Sequence, residues 1–365
     1  MNAITRAGLA LVPACLLAAP AQAQYFGRNA VQYETFNFKI LKTEHFDIYF
    51  YEREAVASQQ AARMAERWYA RLSTLLDHKL QGKQPLILYA DHPDFEQTNV
   101  IGQQPGEGTG GVTESLKRRI ILPMGASLQE TDHVIGHELV HAFQYDISGV
   151  GRGSMATGLG RLPLWFIEGM AEYLSVGPVD PNTTMWMRDA VRRGTLPRLD
   201  DLADPEYFPY RWGQAFWAYV GGTYGDAVIG AALRAGGKTG NVRLALEQAT
   251  HQPADSLVAG WHRALVQSAQ PVAAATDVTL PADAAAARQA RRTTVATPGA
   301  RLLVAADEDN RFNIAPALSP DGRRVAYLSD AGLLSIELYL ADAQTGRTIR
   351  TLVSSLRDPH LESMQ

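Results

Sequence analysis

Apolar positions recur with two different periods along this chain, and the change of period divides it. Residues 45–51 alternate and 85–89 form a short apolar run, so both predict strands. Between them Ala62, Ala65, Trp68, Tyr69, Leu72, Leu75 and Leu76 repeat at helical spacing within 55–80. A further strand is predicted over 118–122, ended by Pro123 and Gly125. The next helix can be capped by Ser127 or Thr131, with Glu130 and Asp132 in its first turn favoured by the helix dipole. Val134, Ile135, Leu139, Val140 and Phe143 occupy several of its sides, so it should be largely buried. A second buried helix is predicted over 163–174, opened by Pro163, and a mostly helical run over 212–249. Residues 271–300 are rich in Ala, Thr, Pro and Arg without an aromatic residue, which reads as a linker. Beyond them the period becomes two. Ser319-Pro320-Asp321-Gly322 makes a tight turn between two strands, 334–340 and 348–354 continue the sheet, and Thr345-Gly346 turns between them.

The first of the two buried helices carries unusual polar residues. His137 and His141 stand at i and i+4, one turn apart on one face, so both can reach a single metal ion. Glu138 adjoins the first of them and can act as general base on a water at that metal. His133, one turn earlier, reads as a residue lining or capping the cleft rather than as a ligand. On the second helix Glu168 and Glu172 again share a face. Two carboxylates on an otherwise apolar helix are costly to bury without a partner, and a cation is the natural one. A metzincin site is excluded, because Ile147 stands where its third histidine is needed. The glycine run 102–111 lacks the Lys-Ser/Thr and the strand-to-helix frame of a nucleotide loop, and reads as a surface or groove-shaping loop.

His137-Glu138-x-x-His141 followed by Trp165-Phe166-Ile167-Glu168-Gly169-Met170-Ala171-Glu172-Tyr173 resembles the gluzincin zinc metallopeptidases, and within them the bacterial peptidase-MA-like domains. That resemblance implies an α+β fold: a zincin-like, two-lobed domain with a small mixed sheet plus helices. It implies Glu168 as third zinc ligand beside His137 and His141, and Glu172 as the carboxylate that orients a ligand histidine. It also implies that the 118–122 strand is the edge strand beside the cleft. Tyr210, just before the aromatic-rich 211–219 segment, falls where such enzymes carry the residue that stabilises the oxyanion. The 142–167 connection is longer than in the best-known gluzincins, and its glycine-rich part, 148–160, reads as a mobile loop beside the site. The Ser-Pro-Asp-Gly unit resembles one blade of a Tol-Pal-type, WD40-like β-propeller. One blade cannot close a ring, so a longer propeller is expected.

Arg6, an apolar run to Pro20 and Ala21-Gln22-Ala23 read as a cleavable secretory signal. Cys15, the one cysteine, falls inside it in a poor lipobox context, so export to a bacterial periplasm or exterior without lipid anchoring is expected. The net charge of −4, about −5 without Arg6, argues against nucleic acid, and no further segment approaches a transmembrane span. The expected organisation is a signal over 1–23, a metallopeptidase domain over 24–270, a linker over 271–300 and a first blade over 301–365. The expected activity is zinc-dependent hydrolysis of a peptide or protein substrate, with the blade available to a protein partner. A periplasmic binding or scaffold protein with an inactive zincin domain is the alternative, and hydrolysis of another amide or an ester a weaker third.

Overall fold

The structure is a computed structural model that describes residues 31–101, 105–106, 108–125, 127–150, 158–276, 301, 303–304, 313–331 and 336–354. The expected signal with Cys15, the 151–157 part of the glycine-rich connection and the 277–300 part of the expected linker lie outside the described residues. The chain is mixed α/β and divides into two compact units, one within 1–289 and one within 290–365. No helix of the described residues is long and apolar enough to cross a membrane.

The first unit opens with a sheet. Strands β1 (Lys39–Lys42), β2 (Phe46–Phe50), β3 (Gln84–Tyr89), β4 (Val112–Glu114) and β5 (Arg119–Pro123) lie in the order β1-β2-β3-β5-β4. The β2/β3 and β3/β5 pairs are parallel, and the two outer pairs are antiparallel. Period-two alternation sorts the side chains. Phe46, Ile48, Leu86, Leu88, Ile120 and Leu122 face the main core, while Ile121 joins Tyr51, Tyr89 and Phe95 in a smaller cluster. Helix α1 (Ala55–Leu75) covers the core face with Ala65, Tyr69 and Leu72 and links β2 to β3. A short helix α2 (His92–Phe95) follows β3.

Helix α3 (Leu128–Ser148) is capped by Ser127, whose Oγ accepts the Glu130 N–H at 3.1 Å, and it ends at Gly149 in a left-handed conformation. Behind it stack α4 (Leu164–Val176), α5 (Pro181–Arg193), α6 (Pro209–Tyr224), α7 (Ala227–Thr239), α8 (Val242–Thr250) and α9 (Ala254–Ala275). Two glycines set the closest crossing. A Cβ on Gly169 of α4 would lie 2.2 Å from Gly213 Cα of α6, and one on Gly213 would lie 2.1 Å from the Trp165 carbonyl oxygen. The backbones touch there, with Trp165, Phe166, Phe216 and Trp217 packed around the contact.

Three expectations are corrected. The 118–122 strand is not at the edge: Gly110 and Gly111 lead into β4, which pairs outside β5 and takes the edge position. Arg118 itself lies before the strand at φ +52°. The expected linker does not begin at residue 271, because Pro271 is inside α9, which continues to Ala275. A helix the apolar pattern did not predict, α5, is opened by Asp180 and Pro181 and closed by Gly194 at φ +62°.

In the second unit β6 (Asn313–Leu318), β7 (Arg324–Ser329), β8 (Glu337–Asp342) and β9 (Thr348–Ser354) form one antiparallel sheet in chain order. Both expected turns are present, with Gly322 at φ +69° and Gly346 at φ +74°. Ser319 Oγ donates to Asp321 Oδ1 at 2.6 Å and accepts the Arg324 N–H at 2.9 Å, which accounts for the Ser-Pro-Asp-Gly signal. The described residues form this sheet and no closed barrel or propeller.

Candidate metal centre

Helical geometry alone puts His137 and His141 side by side on α3, and the α3/α4 packing brings Glu168 to them. The two Nε2 atoms are 3.2 Å apart, and each is 3.2 Å from Glu168 Oε2. These three atoms mark the corners of an equilateral triangle. A tetrahedral zinc with ligand bonds of roughly 2.0–2.1 Å holds its donors about 3.3–3.4 Å apart. The donor set therefore fits that ion in both chemistry and spacing.

Each imidazole meets a polar side chain through its other nitrogen. His141 Nδ1 lies 2.8 Å from Gln144 Oε1, and Gln144 Nε2 donates to the Ile167 carbonyl oxygen at 3.0 Å. The carbonyl can only accept, so the Gln144 amide oxygen must face His141, Nδ1 carries the proton, and Nε2 keeps its lone pair for the centre. His137 Nδ1 lies 3.1 Å from Glu172 Oε1. Glu172 is in turn 3.3 Å from His133 Nε2 and 3.6 Å from Arg211 Nη1, and Arg211 reaches Asp180 Oδ2 at 3.1 Å. His133, His137 and Glu172 form a second set with ligand-type atoms close together. Arg211 already supplies Glu172 with a cation, so this set serves to hold His137.

The charges are strongly coupled. Burial alone would push His137 down, but Glu168 and Glu172 beside it carry its imidazole up to about 10. His141 moves the same way, with burial again outweighed by Glu168. Burial would raise Glu168, yet the two imidazoles hold it far below the usual carboxylate range. Glu172 is likewise drawn down to about 2, against burial, by His133 and His137. The pocket is built to hold positive charge between these groups, as protons or as a metal ion.

Glu138 and Tyr210 complete the site. Glu138 is buried, its Oε2 2.7 Å from Thr113 Oγ1, which also lies 2.8 Å from the Glu138 carbonyl oxygen. A Cβ on Gly111 would stand 3.0 Å from Glu138 Cγ, so this stretch of the glycine run leaves room for that side chain. Tyr210 stacks on His137 with ring centroids 5.8 Å apart. Burial, with the Glu168 charge and a hydrogen bond to Glu168, raises its phenol well above the ordinary value. His137, Glu138, Glu172 and Tyr210 open onto a cavity of about 480 Å³, lined also by Gly108–Gly111, Val134, Phe208 and Arg211.

All six residues singled out from the sequence are thus brought together: His137, Glu138, His141, Glu168, Glu172 and Tyr210. His133 lines the cavity, while the capping role belongs to Ser127. Sequence reasoning missed Gln144, Thr113 and Arg211. Gln144, three residues after His141, was legible in helical spacing, whereas Thr113 and Arg211 reach the site only through tertiary packing. The glycine-rich connection ends in a turn at Gly158–Arg161 that packs against α7, where Gly158 meets the backbone of Gly236 and Gly237. No protein-family model and no curated protein matches this chain.

Proposed function

We propose that the chain is an exported zinc metallopeptidase of gluzincin type, its first unit a two-lobed zincin-like domain and its second a propeller-type blade serving as an interaction module. The observation that carries this reading is the triangle of His137, His141 and Glu168 at 3.2 Å spacing, with buried Glu138 at the wall of an open cavity. His137, His141 and Glu168 would hold the metal. Bound there, zinc supplies Lewis acidity that makes water a nucleophile near neutral pH and polarises a carbonyl.

Every other part falls to the chain's own residues. Glu138 takes the proton from the attacking water and returns it to the leaving amine, as general base and then general acid. Thr113 and the glycine backbone at Gly111 fix the Glu138 carboxylate in one orientation. The Tyr210 phenol, whose proton is held more tightly than usual, is the donor for the developing oxyanion. Glu172 and Gln144 keep the two imidazoles aimed, so the geometry need not reorganise during reaction.

The test combines metal analysis with digestion of a peptide mixture. About one zinc per chain is expected, with hydrolysis slowed about 10³-fold in Glu138→Gln while zinc is retained. Equal behaviour of wild type and Glu138→Gln in every hydrolysis assay would leave the binding or scaffold reading in its place.

A further inference from the structure

Phe208 occupies a position that local physics disfavours twice. It is the N-cap residue of α6, where Ser, Thr, Asp or Asn would satisfy a helix N–H, and it makes no capping hydrogen bond. Its large ring is nevertheless 44% exposed. That ring stacks on Tyr210 at 5.2 Å, Tyr210 stacks on His137 at 5.8 Å, and Trp186 of α5 meets the outer edge of Phe208 at 5.9 Å. Four rings therefore run without a break from the innermost imidazole to the surface. Trp186 and Met185 remain 39% and 52% exposed and border a second hollow of about 450 Å³ beside Tyr207 and Trp212. Breaking a cap preference and leaving this much apolar surface in water costs stability, and such costs concentrate at functional sites.

The rest of the cavity offers little grip on a side chain. Gly108, Thr109, Gly110 and Gly111 contribute mostly bare backbone to its lining, and Val134 is its one aliphatic side chain. Arg211, the cation of the cavity, is already engaged by Glu172 and Asp180, so it does not serve as a clamp for a free carboxylate. Selectivity then falls to the apolar lining, of which Phe208 is the exposed member.

We infer that Phe208 and Trp186 form a specificity wall, which selects peptides with a large apolar side chain, aromatic or leucine-sized, beside the scissile bond. This rests on the peptidase reading. Covering the ring row buries apolar surface on both partners, and discrimination of a large apolar group from a methyl group in such a site reaches at least about tenfold in kcat/KM.

The experiment uses the zinc-loaded protein and two peptides that differ only in Phe or Ala at the residue flanking the cleaved bond. That bond is located first by mass spectrometry of a digested peptide mixture. Cleavage sites enriched in Phe, Tyr, Leu or Met on one side are expected. The Phe/Ala ratio of kcat/KM should be at least about tenfold and should fall several-fold in Phe208→Ser and in Trp186→Ser, with zinc content and melting temperature maintained. Glu138-dependent cleavage without apolar preference overturns this inference alone, as does a preference that both substitutions leave intact. A complete lack of Glu138-dependent cleavage overturns the peptidase reading and this inference with it.

Discussion

Helix α3 carries two buried clusters of histidine and carboxylate, and they are built for different ends. Near its C-terminus Asp146 is almost wholly buried, with His78 Nε2 2.6 Å from one carboxylate oxygen and the Arg118 guanidinium on the other. Each oxygen meets its own donor, so the anion is satisfied within the fold. Two turns earlier, His137 and His141 point their Nε2 atoms at one another and at a single oxygen of Glu168. There three acceptor-type atoms share one space beside an open cavity. The first arrangement ties α3 to the sheet and to the segment after α1, whereas the second brings together ligand-type atoms that could hold a shared cation. Convergence of lone pairs, rather than the presence of charge, separates a ligand set from a structural ion pair.

The largest expected effect falls on the second cluster alone. Glu138→Gln should lower kcat by about 10³-fold while leaving zinc stoichiometry and melting temperature near wild type. Measured zinc loss in that variant would mean that Glu138 belongs to the metal shell. Next in size, Asp146→Ala should destabilise the first unit by about 3 kcal/mol in urea titration, since it strands Arg118 and His78. Both partners are partly exposed, which keeps the loss at the lower end for buried pairs. Zinc per folded chain should be unchanged, and a variant that keeps full stability would erase the contrast between the clusters.

Smaller effects should come from the groups that aim the imidazoles. Glu172→Gln and Gln144→Leu are each expected to weaken zinc affinity about 10- to 100-fold, read by competition with a chelator of known affinity. Wild-type affinity in both would show that the α3 backbone aims the rings without these two side chains.

The pH response is the most modest. In the metal-free protein the raised His137 contributes stability that is full below its ordinary 6.5 and is lost as pH rises through about 10. The lowered Glu168 and Glu172 contribute stability present above their ordinary 4.5 and lost as pH falls toward their depressed values. Zinc needs neutral imidazoles and so competes with these protons. The gap in melting temperature between zinc-loaded and metal-free protein should therefore widen from pH 6 to pH 9. A gap that narrows over this interval would contradict the coupling.

Much of the site was legible because α-helical periodicity is rigid. Residues four apart must share a face, so His137 with His141 and Glu168 with Glu172 could be paired without coordinates. The same holds for the Ser-Pro-Asp-Gly turn, whose hydrogen bonds are made within five residues. The errors arose where long-range pairing or helical context overrode a local signal. The edge of the first sheet went to β4 because a three-residue strand just after the glycine run found a partner in β5. Pro271 is tolerated inside α9, although proline normally argues for a boundary. Helix α5 escaped notice because its apolar face is thin, with Met187, Ala190 and Val191 buried amid polar residues.

By itself, the sequence determined which residues are candidates for chemistry and which local elements present them: two helices with i, i+4 pairs, their caps, and a sheet of alternating strands. These follow from backbone geometry and burial preference acting over a few residues. Only the tertiary structure decided that Glu168, and not Glu172, completes the triangle with the two Nε2 atoms. It also decided that Glu172 lies against the other nitrogen of His137 and that Phe208 and Trp186 continue the aromatic row from Tyr210. Those outcomes depend on how α4 packs against α3 and on where α4 and α6 cross, the second of which the contact of Gly169 with Gly213 fixes. A helix face fixes direction within its own element, but the distance between atoms on different helices is set by how closely their backbones can approach.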